Sequence, residues 1–286
     1  MEKNELKKLI DLWFEEDIRD GDHTSLSCIP DTQMGTQQLI IKADGILAGV
    51  EVAKEIIHHF DPELQFEGFI NDGAEVHKGD IAFRVSGKEL SLLQVERTML
   101  NIMQRMSGIA TTTHRYQSLI ADTKCHVLDT RKTTPGLRYL EKEAVLIGGG
   151  MNHRIGLFDM ILLKDNHVDF AGGITAALTR ARDYCIRNKK DLRIEIETRN
   201  LWEIEEALRT GIPDRIMLDN FSPERTAQAV DFIRNWMSNK YIEIESSGGI
   251  TIDTLRDYAL CGVDFVSVGA LTHSVKSLDM SFKAVK

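Results

Sequence analysis

The sequence predicts an α/β protein in which a small α+β unit is followed by a (β/α) barrel. Three observations lead there. Short strand-like runs around one helical pattern fill residues 36–85, six apolar runs alternate with helical stretches beyond Lys124, and each of those six ends on a polar residue or a glycine. Repeated strand–helix units imply parallel strands joined by right-handed crossovers. A barrel of that kind gathers its strand ends on one face and places its chemistry there.

The opening segment, MEKNELKKLIDLWFEED, carries acids and no long apolar run, so it reads as an amphipathic helix rather than a secretory leader. QQLIIKA, GILAGV, LQFEGFI and DIAFRV predict short strands, with a helix near Val52 to His59, and NDG and KGD supply turns between the later strands. From residue 89 to 120, Leu92, Leu93, Met99, Leu100, Ile102 and Met103 recur in a mainly helical pattern that suits a helix bridging two domains. CHVLD, DMILLK, LRIEIE, RIMLD, YIEIES and DFVSVG then predict six strands ending at Asp129, Lys164, Glu197, Asp219, Ser247 and Gly269. An open doubly wound sheet would bring fewer ends together and ranks second.

Acids outnumber bases 44 to 35, for a net charge of -9. Such a chain lacks the broad positive field that nucleic acid or an anionic membrane surface requires. No run approaches the roughly 18 apolar residues of a membrane span. Cys28, Cys125, Cys185 and Cys261 are scattered without a CxxC pair, which argues against a zinc cluster and a disulfide framework and makes a reducing cytoplasm the expected compartment.

Against this acidic background, the segment from Leu128 to His167 collects Arg131, Lys132, His153, Arg154, Lys164 and His167 around Gly148, Gly149 and Gly150. So local a concentration of positive charge predicts a small anionic ligand. Arg131 and Lys132, flanked by Thr130 and Thr133, suit a carboxylate or a phosphate, the guanidinium fork being matched to either. Lys164, closing an apolar strand, must reach the barrel mouth or pair with Glu197 or Asp219, because a buried unpaired charge is costly. Glu195 and Glu197 fall on one strand face by period two and need cations or a metal to stay ionised together. Ser246, Ser247, Gly248 and Gly249 leave one strand and Gly269 and Ala270 the next, so their backbone amides, near a helix start, are candidates for holding phosphate. Trp13, Trp202 and Trp236 read as packing or interface residues, and His58 and His59 as structural or surface residues.

In order along the chain, EDIRDGDHTS, ERTMLNIMQRMSGIAT, LDTRKTTPGLR, GGGMNHRIGLFDMILLKDNH, EIE before LDNF, SSGGI and VSVGALTHS make a set that closely resembles the quinolinate phosphoribosyltransferase family, over about residues 10–281. The resemblance implies an incomplete (β/α) barrel with an N-terminal α/β open-faced sandwich domain. The boundaries it implies are 1–112 for the sandwich with its bridging helix, 113–275 for the barrel, and 276–286 for a tail packing back on the first domain. The activity implied is conversion of quinolinate and 5-phosphoribosyl 1-pyrophosphate to nicotinate mononucleotide, carbon dioxide and pyrophosphate, with Mg2+ and no organic cofactor. A homodimer with shared sites is implied too, a hexamer being left open.

Residue by residue, the resemblance assigns quinolinate to Arg131 and Arg154 with His153 and Lys132 beside them, and to Arg97 reaching across from the neighbouring subunit. It assigns the ribose and hydrated magnesium to Glu197 and Asp219, the departing pyrophosphate or the substrate anions to Lys132 and Lys164, the 5-phosphate to Ser247, Gly248, Gly249, Gly269 and Ala270, and a place in substrate binding to Thr130 and Val268. Lys132, Lys164, Glu197 and Asp219 are the expected catalytic set. Three other readings stand beside this one: a paralogous pyrophosphorylase associated with molybdenum transport, a Schiff-base aldolase using Lys164, and a non-catalytic phosphoribosyl pyrophosphate binder.

Overall fold

The computed structural model describes residues 3–237 and 240–285. In chain order the elements are α1 (Lys3–Asp17), α2 (His23–Cys28), β1 (Met34–Ile41), β2 (Gly45–Ile46), α3 (Val50–Phe60), β3 (Gln65–Gly68), β4 (Glu75–Val76), β5 (Ile81–Lys88), α4 (Glu89–Ser118), β6 (His126–Leu128), α5 (Arg138–Ile147) and β7 (Ile161–Leu163). They continue with α6 (Asp165–Ala171), α7 (Ile174–Asn188), β8 (Ile194–Thr198), α8 (Leu201–Thr210), β9 (Arg215–Asp219), α9 (Pro223–Arg234), β10 (Glu243–Ser247), α10 (Leu255–Leu260), β11 (Phe265–Ser267), α11 (Ala270–His273) and β12 (Met280–Ala284). Two compact units result: Met1–His114 with Thr134–Gly149 and Ser274–Lys286, and Arg115–Thr133 with Gly150–His273.

In the first unit, a four-stranded antiparallel sheet of order β12-β1-β5-β3 buries Leu39, Ile41, Phe83, Val85, Met280 and Phe282. α3 turns Val52, Ala53, Ile56 and Ile57 inward at helical spacing, and α1 leans on it through Phe14 and Phe60, whose rings lie 4.5 Å apart. The last strand comes from the far end of the chain, Ile41 pairing with Met280. Close approach is bought by glycine: a Cβ on Gly108 would lie 2.4 Å from Lys276 O, and one on Gly148 2.4 Å from Ala110 O. Residues 134–149, with α5, belong to this unit. Arg105 and the fully buried Glu141 tie that excursion down by a hydrogen bond of 2.8 Å.

The second unit holds a six-stranded parallel sheet of order β6-β11-β10-β9-β8-β7. β7 through β11 follow one another without the reversal of strand order that defines a doubly wound sheet. All six strands expected from sequence are present in it. β8 is buried along its whole length, as a strand covered on both faces must be. Paired residues on neighbouring strands point the same way, so the registers Glu195↔Arg215, Glu243↔Arg215, Glu197↔Met217 and Ser247↔Asp219 place Glu195, Glu197, Arg215, Asp219, Glu243 and Ser247 on one face, with Met217 among them. Helix starts are capped locally: Asn200 accepts from Glu203 N–H for α8, and Ser222 from Arg225 N–H for α9, where Pro223 follows. Among the described residues, no helix is long and apolar enough to cross a membrane.

Candidate active site

A cleft of about 780 Å3 opens in the second unit where the strands end. Every strand of the sheet contributes: Thr130, Arg131 and Lys132 follow β6, Lys164 follows β7, Glu197 lies on β8, Asp219 ends β9, Ser247, Gly248 and Gly249 leave β10, and Gly269 and Ala270 leave β11. His153 and Arg154 line it from the loop before β7. Of the residues named from sequence, two fall elsewhere. Arg97 stands exposed on α4 in the first unit and does not figure in the cleft lining, and the side chain of Val268 is buried, its N–H bonded to Leu128 O at 2.9 Å.

The cationic side of the cleft is set by Arg131, Lys132 and Arg154. Among the described residues none of the three has a carboxylate partner. Arg154 is half-buried, and burial, together with the neighbouring Arg131 charge, lowers its pKa. Two guanidinium groups that repel one another, one of them partly desolvated, are a prepared seat for an anion of more than one negative charge. Lys132 is held by the backbone on both sides: its N–H donates to Thr130 Oγ1 at 3.0 Å and its carbonyl accepts from Thr272 Oγ1 at 2.8 Å.

The acidic side divides into two layers. At the mouth, Lys164 Nζ donates to Glu197 Oε2 at 3.2 Å, and Asp219 Oδ2 accepts from Asn220 Nδ2 at 2.7 Å. Deeper, Glu195 and Glu245 are both fully buried beside His153 and Arg215. His153, Glu195 and Glu245 offer ligand atoms within 4.8 Å of one another and could hold a metal ion, although Arg215 Nη1 already donates to Glu245 Oε2 at 2.9 Å. The metal-capable cluster thus lies one layer below Glu197 and Asp219, the pair assigned to the metal from sequence. Glu195 and Glu197 share a strand face as expected, but each takes a different cation.

Burial pushes Glu195 up to about 7, and burial followed by the Glu195 charge pushes Glu245 up to about 7. A carboxyl that holds its proton more tightly when folded favours the native state fully below its ordinary value of 4.5, and loses that contribution as pH rises through about 7. Glu245→Gln is therefore expected to flatten the fall of Tm between those two pH values. A fall as steep as in the parent protein would place its origin outside this pair.

The loop after β10 is shaped by close approach. Gly248 has φ +104°, and a Cβ there would lie 2.2 Å from Asn220 Oδ1, while Gly249 at φ +61° faces open space. Asn220 itself takes φ 54° and donates its N–H to Ser247 O at 2.9 Å, locking the β9 and β10 loops together. The helix after SSGG begins only at Leu255, so Ser247, Gly248 and Gly249 line the cleft as a loop rather than as a helix start. Gly248→Ala is expected to cost about 1–3 kcal/mol from backbone strain, on top of the clash. A Tm equal to that of the parent would show that the loop relaxes.

Asn220, Thr251 and His273 also line the cleft and escaped the sequence reading. Asn220 carried a usable signal, since Asn directly after a strand end is one of the few residues that tolerate the left-handed region.

Family models place the chain in context. Quinolinate phosphoribosyl transferase, N-terminal domain, matches residues 22–107, and the C-terminal domain of the same name matches residues 109–283. Quinolinate phosphoribosyltransferase (decarboxylating) 1b of Nicotiana tabacum is 43% identical, covering 98% of this chain and 82% of its own. The probable nicotinate-nucleotide pyrophosphorylase (carboxylating) of Bacillus subtilis is 41% identical, covering 97% and 92%. The crystal structure of NadC from Streptococcus pyogenes superposes with a TM-score of 0.92 at 36% identity, covering 100% of this chain and 99% of that one. With both halves matched and identity above two in five along nearly the whole length, the chain belongs to the quinolinate phosphoribosyltransferase family.

Proposed function

We propose that the chain transfers the phosphoribosyl group of 5-phosphoribosyl 1-pyrophosphate to the ring nitrogen of quinolinate, releasing pyrophosphate and carbon dioxide and leaving nicotinate mononucleotide, a step of NAD synthesis from its de novo precursor. The observation that carries this reading is the pair Arg131 and Arg154, two guanidinium groups without carboxylate partners among the described residues, beside Lys132. Quinolinate brings two adjacent carboxylates, and a planar fork binds each through parallel hydrogen bonds.

As the C1–oxygen bond to pyrophosphate breaks, positive charge grows on the ribose, and Glu197 and Asp219 at the mouth face that charge. Ring nitrogen forms the new bond and becomes cationic. Its charge then stabilises the electron pair left at C2 when the carbon–carboxyl bond breaks, and C2 takes a proton from water. Lys132 and Lys164 offset the negative charge of the departing pyrophosphate, and the Ser247, Gly248, Gly249 and Gly269, Ala270 loops receive the 5-phosphate. No side chain forms a covalent bond in this scheme; a borohydride-trapped adduct on Lys164 would contradict it.

Glu197 and Asp219 would hold magnesium carried on phosphoribosyl pyrophosphate. It prefers oxygen ligands, keeps much of its water and leans on substrate phosphates, and Glu197 and Asp219 present carboxylate oxygens into the cleft in keeping with that. When bound it neutralises the pyrophosphate. The barrel is read as incomplete, because β6 and β7 lie at opposite edges of the sheet and do not pair with each other. A homodimer in which Arg97 of one subunit reaches the quinolinate of the other, in the cytoplasm, completes the proposal. Leu157 and Phe158, 72% and 67% exposed beside edge strand β7, offer apolar surface for such an interface.

The test is turnover: purified protein with magnesium, phosphoribosyl pyrophosphate and either quinolinate or nicotinate. Nicotinate mononucleotide and carbon dioxide from quinolinate alone are expected. Retained phosphoribosyl pyrophosphate binding without turnover of either acid would shift the reading to the paralogous transferase.

A further inference from the structure

We propose that His153 serves dicarboxylate recognition as a positioning residue acting through Arg154, and not as a direct ligand of the substrate. The inference rests on Arg131 and Arg154 being the dicarboxylate clamp. His153 lines the cleft, which makes a direct contact the obvious first reading. Its ring nitrogens are directed elsewhere.

Nδ1 accepts the backbone N–H of Arg154, the next residue, at 2.7 Å. A ring nitrogen that accepts carries no proton, so in the neutral imidazole the proton sits on Nε2. Nε2 lies 3.2 Å from Glu195 Oε2 and 3.6 Å from Glu245 Oε2, both of them fully buried carboxyls. The ring therefore lies between the buried acids and the Arg154 backbone, hydrogen-bonded at Nδ1 and within ion-pair range of both carboxyls at Nε2.

Both ends are anchored. Below, Arg215 donates from Nη1 to Glu245 Oε2 at 2.9 Å and from Nε to Glu243 Oε2 at 2.9 Å, with its Cζ 4.2 Å from the centre of the Phe265 ring. At the backbone, His153 N–H donates to the fully buried Asp129 Oδ1 at 2.9 Å. Arg154 is then held at two points, its N–H by the His153 ring and its Nη1 by Met160 O at 3.2 Å. Bidentate recognition of a carboxylate tolerates little displacement of the fork, so fixing the backbone that carries it is a direct route to affinity. Glu195 and Glu245, fully buried on the Nε2 side of the ring, acquire a function in this arrangement: they favour the tautomer that leaves Nδ1 open to Arg154.

Two near-isosteric variants separate the roles of the nitrogens. Asn places an acceptor near the position of Nδ1, and Gln places a donor near that of Nε2. His153→Asn is expected to keep the KM for quinolinate within about threefold of the parent. His153→Gln is expected to raise it about tenfold, the loss of roughly one hydrogen bond, with the KM for phosphoribosyl pyrophosphate unchanged. In a double-mutant cycle, His153→Gln should add no further loss to Arg154→Ala. Equal losses for Asn and Gln, or a full additive loss on Arg154→Ala, would overturn the proposal in favour of direct contact. Nitrogen-15 shifts of the His153 ring in the unmutated protein give a second measurement independent of variant folding, and a protonated Nδ1 with bare Nε2 would also overturn it. If the parent protein binds phosphoribosyl pyrophosphate but not quinolinate, the clamp reading itself fails.

Discussion

Arg131→Ala is expected to raise the KM for quinolinate by roughly 30- to 150-fold, leaving the KM for phosphoribosyl pyrophosphate within about twofold. The magnitude follows from removing one member of a charged, hydrogen-bonded pair in a closed site, about 2–3 kcal/mol, at about 1.4 kcal/mol per factor of ten. Selectivity follows from the layout. Arg131 sits with Arg154 on the cationic side, whereas the loops after β10 and β11 lie at other strand ends. Loss of one guanidinium also relieves the repulsion that lowers the pKa of Arg154, which softens the effect without reversing it. Equal losses for both substrates would contradict the clamp. The same variant tests the shared site, because mixing Arg131→Ala with Arg97→Ala subunits should restore activity if each dimer regains one intact site. No recovery after subunit exchange would remove Arg97 from the proposal.

Asp219→Ala should act on the other axis, lowering kcat about 100- to 1000-fold with little change in quinolinate affinity. A preorganised group facing charge that develops only in the transition state contributes to rate rather than to ground-state binding. Asp219 fits that role because Asn220 Nδ2 holds its Oδ2 at 2.7 Å while the residue remains open to the cleft. Glu197 is less exposed and shares its charge with Lys164, so its removal also leaves a lysine without its partner. Asp219 is for that reason the cleaner probe. A variant whose quinolinate KM rises while kcat is preserved would move Asp219 from the ribose to the dicarboxylate.

Much of this protein is legible in its sequence, and the particulars show why. DMILLK, LRIEIE and RIMLD announce strands because apolar periodicity is a local property, and the polar residue ending each run marks the face where strand ends meet. Arg131, Lys132, Lys164, Glu197, Asp219, Ser247, Gly248 and Gly249 follow from those local signals, and all line one cleft.

Partnership is another matter. Nothing local says that Glu195 turns to His153 and Arg215 while Glu197, two residues on, takes Lys164; that depends on the register of β8 against β9 and on a loop 42 positions earlier in the case of His153. Residues 134–149 lie in one compact unit with α4, where Gly148 lets the backbone approach Ala110, a meeting of segments distant along the chain. The order of strands and helices, and the residues that reach the strand ends, follow from short-range periodicity along the chain. Only the tertiary structure decided which charge answers which, because burial and register bring together groups that are distant along the chain, and in a low-dielectric interior those meetings set protonation and orientation.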